Sequence, residues 1–442
     1  MRQKADTWLR ISVLAWLWLW VLVTCFGWVG IWGMIPLDRS SAVLLTAAAV
    51  VLTILAFIVK ARWLEALLAR FFSLDFPSKR RLSRVLIYTA CYSLVVFFAW
   101  AFRSRNHFMG DGWALMDKVQ GPFAFYHNEP LDFFIHQLFF RWLGIFGVSS
   151  GETAYALLHT LLLPLFLLVC WRVATMLVRE PAGRAALWLL ACGTASLQLF
   201  FGYVESYTLL HLWLVVYLFA GIKYLGQEKR TNPWLPTVVF LIAIMTHRST
   251  LVLFPSVVFL WFEQPLLSRR IKRVPGSFLT VSLVSGLALV LALLADKVPG
   301  MLPVAGPVDG ADVPYRIFEG RHLWDKLNFL LLICPAAAVS APLLVSGCKK
   351  LVGKKDSALI FLFWCAAGSI FFFLAINPHL GIRDWDLFAI PALPLAFFCG
   401  RGLVLLLKGK KRANTGLFFL AAVLLLHSLA WVRVNSDLSE FS

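Results

Sequence analysis

The run Thr153-Ala-Tyr-Ala-Leu-Leu-His-Thr-Leu-Leu-Leu-Pro-Leu-Phe-Leu-Leu-Val-Cys-Trp171 holds 19 residues and no Asp, Glu, Lys or Arg. As a helix rising about 1.5 Å per residue it reaches about 28 Å, close to the roughly 30 Å of a bilayer's hydrocarbon core. Backbone groups in lipid must be satisfied within their own segment, so the run is a helix and not an open strand. Glu152 precedes it and Arg172 follows it. That contrast between the two ends extends to the rest of the chain.

Comparable apolar runs recur at 11–33, 41–59, 85–102, 185–201, 207–222, 234–246, 250–262, 276–295, 323–346, 357–376, 387–400 and 414–432. The expectation is an all-α polytopic membrane protein of about 13 transmembrane helices, one integral-membrane domain over 1–442. Composition agrees: 60% of the 442 residues are hydrophobic and 14% charged. Soluble domains carry about 25% charged residues, so an ordinary soluble enzyme is excluded.

The net charge of +18 suggests nucleic acid until the charges are placed. Loops 1–10, 60–84, 172–184, 223–233, 263–275, 347–356 and 401–413 hold 29 Lys and Arg against 7 Asp and Glu. The alternate loops, 34–40, 103–152, 202–206, 246–249, 296–326, 377–386 and 433–442, hold 12 against 16. Under the positive-inside rule the first set and the N-terminus are cytoplasmic, and the second set and the C-terminus face outward. The charge is an orientation signal. It also implies contacts to anionic membrane lipids, and no nucleic acid is expected.

The first run carries Trp16, Trp18, Trp20, Trp28 and Trp32 and exceeds a signal-peptide core. All eight cysteines lie in or at the ends of apolar runs, and no CxxC pair occurs, so neither disulfides nor a thiolate metal site is expected. No Asn-x-Ser/Thr sequon is present, which points to a bacterial inner membrane.

Chemistry is therefore sought on the outward side. In the loop 103–152, Gly110 and Gly112 flank Asp111 and free the backbone to present that carboxylate. Asp111 also reads as the N-cap of a helix starting at Trp113. Further on, Asp132, His136, Gln137 and Arg141 share one half of a helical wheel over 131–143, opposite bulky apolar residues. That pattern predicts an interfacial helix on the outer membrane surface.

The tip Thr246-His247-Arg248-Ser249 lies between runs of about 13 residues, or roughly 20 Å each. Both runs fall short of the core, so the tip is expected to sit below the outer surface, where ionisable residues are functional by default. Tip 202–207 carries Glu205, and tip 377–386 carries His379, Arg383 and Asp384. Arg383 is the best phosphate ligand by residue type, being planar and permanently charged. The loop 296–326, rich in Pro and Gly, is a candidate lid, with Arg316, Glu319, Arg321 and His322 read as solvated charges at its end.

The order of features over 103–144 is an Asp, a short helix, Gly121-Pro122, Tyr126, Glu129-Pro130-Leu131 and a surface helix. It resembles the GT-C superfamily of membrane glycosyltransferases, which includes the protein O-mannosyltransferases and aminoarabinose transferases. The resemblance implies a GT-C type fold and transfer of a sugar from a polyprenyl-phosphate-linked donor to a lipid, glycan or protein acceptor on the outer face. It places Asp111 as the catalytic general base, and its position after the third run makes 11–59 an added N-terminal transmembrane hairpin.

Glu129, Glu205, His247, Arg248, His379, Arg383 and Asp384 are the candidate substrate-binding residues. A base for the incoming hydroxyl and cations for the leaving phosphate are what such a displacement requires. One well-placed carboxylate predicts inversion at the anomeric carbon. No ligand spacing supports a metal, so no cofactor is predicted, although Asp111 and Glu205 could contribute ligands to a divalent ion. The rival class is a transporter or flippase of a lipid-linked or small anionic substrate.

Overall fold

The computed structural model describes residues 2–35, 37, 39–58, 81–105, 112–124, 126, 128–227, 232–263, 316–376, 384–407 and 414–437. Its elements are helices: α1 (Arg2–Phe26), α2 (Arg39–Ile58), α3 (Arg81–Ala101), α4 (Gly112–Gln120), α5 (Pro130–Gly144) and α6 (Gly151–Leu177). Then follow α7 (Pro181–Cys192), α8 (Ser196–Leu199), α9 (Tyr207–Leu225), α10 (Trp234–Thr246) and α11 (Phe254–Phe262). The last group is α12 (Gly320–Ile333), α13 (Pro335–Ser346), α14 (Cys348–Val352), α15 (Ser357–Ala375), α16 (Ala392–Leu407) and α17 (Asn414–Ser436). Short 3-10 turns cover Val29–Met34, Arg248–Leu253 and Leu387–Ala389.

Among the described residues six helices are long and apolar enough to cross a membrane, or up to seven if a bent pair is one span. The chain is an integral membrane protein. The count of 13 is not reproduced. The run 276–295 lies outside the described residues, and α10 and the stretch 248–262 are shorter apolar helices. The run 323–346, expected as one span, is two helices bent by 101°. Pro335 explains the bend: its ring disfavours helical backbone at the preceding residue, and Cys334 is non-helical at φ −153°, ψ 69°.

Helix ends follow the side chains available. Ser150 caps α6 through Thr153 N at 3.2 Å, and Asp356 caps α15 through Leu359 N at 2.8 Å. Pro130, Pro181 and Pro335 occupy first-turn positions, where the missing N–H costs nothing.

The alternation of the loops is visible in their contacts. Ser104 N donates to Phe201 O at 2.6 Å, Arg105 N to Asn435 O at 3.0 Å, and Arg248 N to Asn128 O at 3.1 Å. All of these join the less basic loops and their edges. At the other end Arg401 pairs with Asp356, Gly416 N donates to Asp6 Oδ1 at 3.2 Å, and Lys354 Nζ donates to Leu405 O at 2.8 Å. These contacts join the basic set. The two sets gather at opposite ends of the bundle, as the charge census requires.

The core is one apolar cluster running through α1, α6, α7, α9, α15, α16 and α17. Residues 11–59 contribute most of α1 together with α2, and Leu9, Leu17 and Trp20 of α1 are fully buried. The eight cysteines are all free thiols.

Candidate active site

The less basic end of the bundle gathers polar side chains that are almost wholly out of solvent. The first comes with α5. Glu129 precedes Pro130 at the head of this helix and is 7% exposed. The helix itself lies over 130–144, and of its polar residues Asp132, His136 and Gln137 face the protein while Arg141 is exposed. Asp132, His136 and Gln137 are buried, whereas Leu138, Trp142 and Ile145 are more than half exposed. In a lipid setting the apolar half is the outward one.

Inside, the polar half of α5 meets α6. His136 Nε2 lies 2.8 Å from His159 Nε2, and His136 Nδ1 lies 3.1 Å from Asp132 Oδ2. Tyr155 stacks on the His136 ring at 3.9 Å. Burial pushes the Asp132 carboxyl up, and the adjacent His136 pulls against that shift. His159 Nδ1 reaches the Tyr203 carbonyl at 2.7 Å, which ties α6 to the turn carrying Glu205.

That turn needs Gly202, whose φ of +68° is left-handed and whose missing Cβ leaves room for Ala156 and Arg103. Glu205 is 4% exposed and accepts from Ser206 N at 3.3 Å. Burial first, and then Asp386 and Glu205, push the Tyr203 hydroxyl well above its ordinary range. The Tyr203 ring packs on Trp385 at 5.2 Å, so the 202–206 and 384–386 segments share one site. Asp386 caps its own 3-10 turn through Leu387 N at 2.8 Å. Asp384 is 9% exposed.

The tip after α10 completes the group. His247 is buried and its Nδ1 accepts from Ser249 N at 3.2 Å, leaving Nε2 to carry the proton. Nε2 stands 3.9 Å from Glu129 Oε2, and the ring lies 5.0 Å from that of Tyr207. Burial, with the charge of Arg248 and His211 adding to it, pushes the imidazole down to about 3. The pair is therefore a neutral histidine beside a carboxyl group and not an ion pair. The Arg248 side chain is exposed, while its backbone joins the tip to Asn128.

The site thus brings together Glu129, Glu205, His247 and Asp384 from the sequence expectations. Glu129, Glu205, Asp384 and Asp386 all lie within electrostatic reach of Tyr207. Asp111, His379 and Arg383 lie outside the described residues, as does the loop up to residue 315 that was expected as a lid. Helix α4 starts at Gly112, one residue ahead of the expected start. His322, expected among solvated charges, is buried and reaches the Leu374 carbonyl at 3.2 Å. Among the described residues no three His, Cys, Asp or Glu gather as a metal would need.

Two features were missed. His159 was read as part of an apolar run, although an ionisable residue inside such a run is itself a signal. Lys326 falls among the loop charges by sequence. It is 2% exposed, with Nζ 3.3 Å from the Ile376 carbonyl and 3.3 Å from the centre of the Phe388 ring. It also interacts electrostatically with Asp384, which places a buried amino group beside the acidic group.

No family model matches this chain, and no curated protein sequence matches it. Among solved structures it is similar to the crystal structure of ArnT from Cupriavidus metallidurans bound to undecaprenyl phosphate. The identity is 11%, the TM-score 0.47, and the match covers 81% of this chain and 78% of that one.

Proposed function

We propose that the protein is a GT-C type glycosyltransferase moving a sugar from a polyprenyl-phosphate-linked donor to an acceptor at the outer face of a bacterial inner membrane. The observation that carries this reading is geometric: Glu129 stands 3.9 Å from His247, whose ring lies 5.0 Å from that of Tyr207, and the turn bearing Glu205 packs on the 384–386 segment through Tyr203 and Trp385. Glu129, Glu205, Asp384 and Asp386 come from different loops of one end of the bundle, all within electrostatic reach of Tyr207. Buried ionisable groups held in an integral membrane protein mark function more often than structure. The acidic motif over 103–144 supplies the chemical class.

Asp111, which directly precedes α4, acts as general base on the acceptor hydroxyl, and the anomeric centre inverts. Glu129, Glu205 and Asp384 bind hydroxyls of the sugar or acceptor. Neutral His247 donates from Nε2 without adding charge. Arg383, Arg248 and His379 bind the leaving phosphate, as cations suited to oxyanions. The second outward loop, 296–326, whose last residues form the start of α12, serves as a lid, and 11–59 is an addition to the catalytic bundle.

A transporter or flippase is favoured by one observation, the 101° bend between α12 and α13, since broken helices line binding sites in transporters. The test separates the two. In proteoliposomes supplied with polyprenyl-phosphate-linked sugars, Asp111→Asn should remain folded and lose transfer. Wild-type transfer by this variant removes the base assignment. Substrate movement with no new glycosidic bond replaces the enzyme by the transporter.

A further inference from the structure

We propose that His136 and His159 share one proton between their Nε2 atoms, forming a buried bis-imidazole cation balanced by Asp132. This latch positions Glu129 and Glu205 for the reaction proposed above, and in that second part it rests on that reading.

The proton count follows from the acceptors. His136 Nδ1 lies 2.9 Å from the Asp132 carbonyl oxygen. A carbonyl brings no hydrogen, so Nδ1 must carry one. His159 Nδ1 lies 2.7 Å from the Tyr203 carbonyl oxygen and carries one for the same reason. The nearby Thr208 hydroxyl, 3.1 Å from that Nδ1, spends its own hydrogen on Leu199 O at 3.0 Å. The 2.8 Å Nε2–Nε2 contact then needs a third hydrogen, because two facing lone pairs at that distance repel. Two neutral imidazoles hold two N–H hydrogens between them. The third makes the pair a monocation.

The surroundings supply one matching charge and little else. Asp132 Oδ2 is 3.1 Å from His136 Nδ1 on the same helix. From α6, Tyr155 covers the His136 face. From α4, the neighbours of Tyr155 are the apolar Leu115, Met116 and Val119. Tyr203 on the turn and Thr208 on α9 close the far side. Glu129 and Glu205 are the next ionisable groups, both within electrostatic reach of Tyr155. Asp132, His136 and His159 are each no more than 1% exposed. A buried cation so enclosed persists only when an opposite charge stands beside it. The Asp132 carboxylate, with no hydrogen bond of its own to either oxygen among the described residues, is that charge.

The latch joins two elements that carry candidate site residues. Glu129 stands three residues ahead of Asp132, and Glu205 two residues after Tyr203. Loss of the shared proton sets the two Nε2 lone pairs against each other and drives α5 away from α6. Glu129 and the Glu205 turn then lose their common anchor. These are positioning residues, with no contact to the reacting atoms implied.

The test is ¹⁵N-histidine magnetic resonance of the full chain in lipid bilayers, with peaks assigned by His136→Gln and His159→Gln. At pH 7 the expected result is a scalar coupling across the Nε2–Nε2 bond and protonated Nδ1 on both rings. Absence of the coupling, or two neutral rings, overturns the shared proton. Asp132→Asn should lose the coupled signal at a pH at least one unit lower than wild type, a tenfold weaker hold on the proton.

For positioning, kcat of Asp132→Asn should fall at least tenfold at pH 7 and recover as pH is lowered, with the signal. An unchanged kcat, or a loss that acid does not rescue, overturns the positioning role. If wild type itself transfers no sugar, the functional reading fails and with it the positioning role. The resonance result still decides the shared proton.

Discussion

His247 is held neutral 3.9 Å from the carboxyl group of Glu129, at the junction of the 246–249 tip and the head of α5. Its ordinary value of 6.5 falls to about 3 in the folded protein. A histidine depressed in this way contributes its full share of stability above about pH 6.5. That share is lost as pH falls toward 3, because the unfolded chain takes up the proton first. The contribution is on the order of 5 kcal/mol, at about 1.4 kcal/mol for each tenfold step. Thermal unfolding in detergent should therefore show wild type losing stability between pH 6.5 and 4. His247→Gln should lose less over the same interval. Parallel acid slopes would mean that His247 is not buried neutral.

The sidedness of the bundle predicts a labelling pattern. Gln120 is exposed at the end of α4, and Cys348 is exposed at the start of α14. In a chain whose seven other cysteines are replaced, Gln120→Cys should react with an impermeant maleimide in intact cells. Native Cys348 should react only after the membrane is permeabilised. The opposite pattern inverts the orientation read from the loop charges.

The alternation of loops was legible because it rests on charge, which the bilayer sorts over the whole chain. The joining of Arg105 to Asn435 and of Arg248 to Asn128 at one end follows the same sorting. The facing of α5 was not legible. Periodicity distinguishes two faces of a helix but not which one meets protein, and Asp132 and His136 find partners inside. The bend at Cys334 was announced by Pro335 yet hidden by a run apolar on both sides. In the site, Glu129, Glu205, His247 and Asp384 were legible as ionisable residues on the less basic loops of an apolar chain. Lys326 was not, since its aromatic surroundings, Phe329, Phe373 and Phe388, come from three separate segments.

Glu205 offers a conservative test of the acidic group. A Gln at this position keeps an acceptor for Ser206 N–H, 3.3 Å away, and removes the charge. Glu205→Gln is expected to fold with wild-type stability and to lower sugar transfer at least about tenfold, or about 1.4 kcal/mol of transition-state stabilisation. Unchanged kcat/KM would take Glu205 out of the substrate-binding set.

Gly368 of α15 sets how closely this helix approaches the 3-10 turn Arg248–Leu253. A Cβ added there would collide with the Val252 carbonyl oxygen and carbon, which are backbone atoms that no rotamer change can move aside. The turn is fixed at its other end by Arg248 N on Asn128 O and by the Ser249 contacts to His247. A substitution at Gly368 must therefore shift the helix or the turn, and overpacking of this kind costs about 1–3 kcal/mol. Moving the turn also moves His247 away from Glu129. Gly368→Val is expected to lower the thermal unfolding midpoint and reduce sugar transfer together, whereas Gly353→Val, on an exposed turn outside the site with no such backbone atom in the way, should lower transfer far less. A Gly368→Val protein with wild-type stability and transfer would show that the close approach of α15 does not hold the tip.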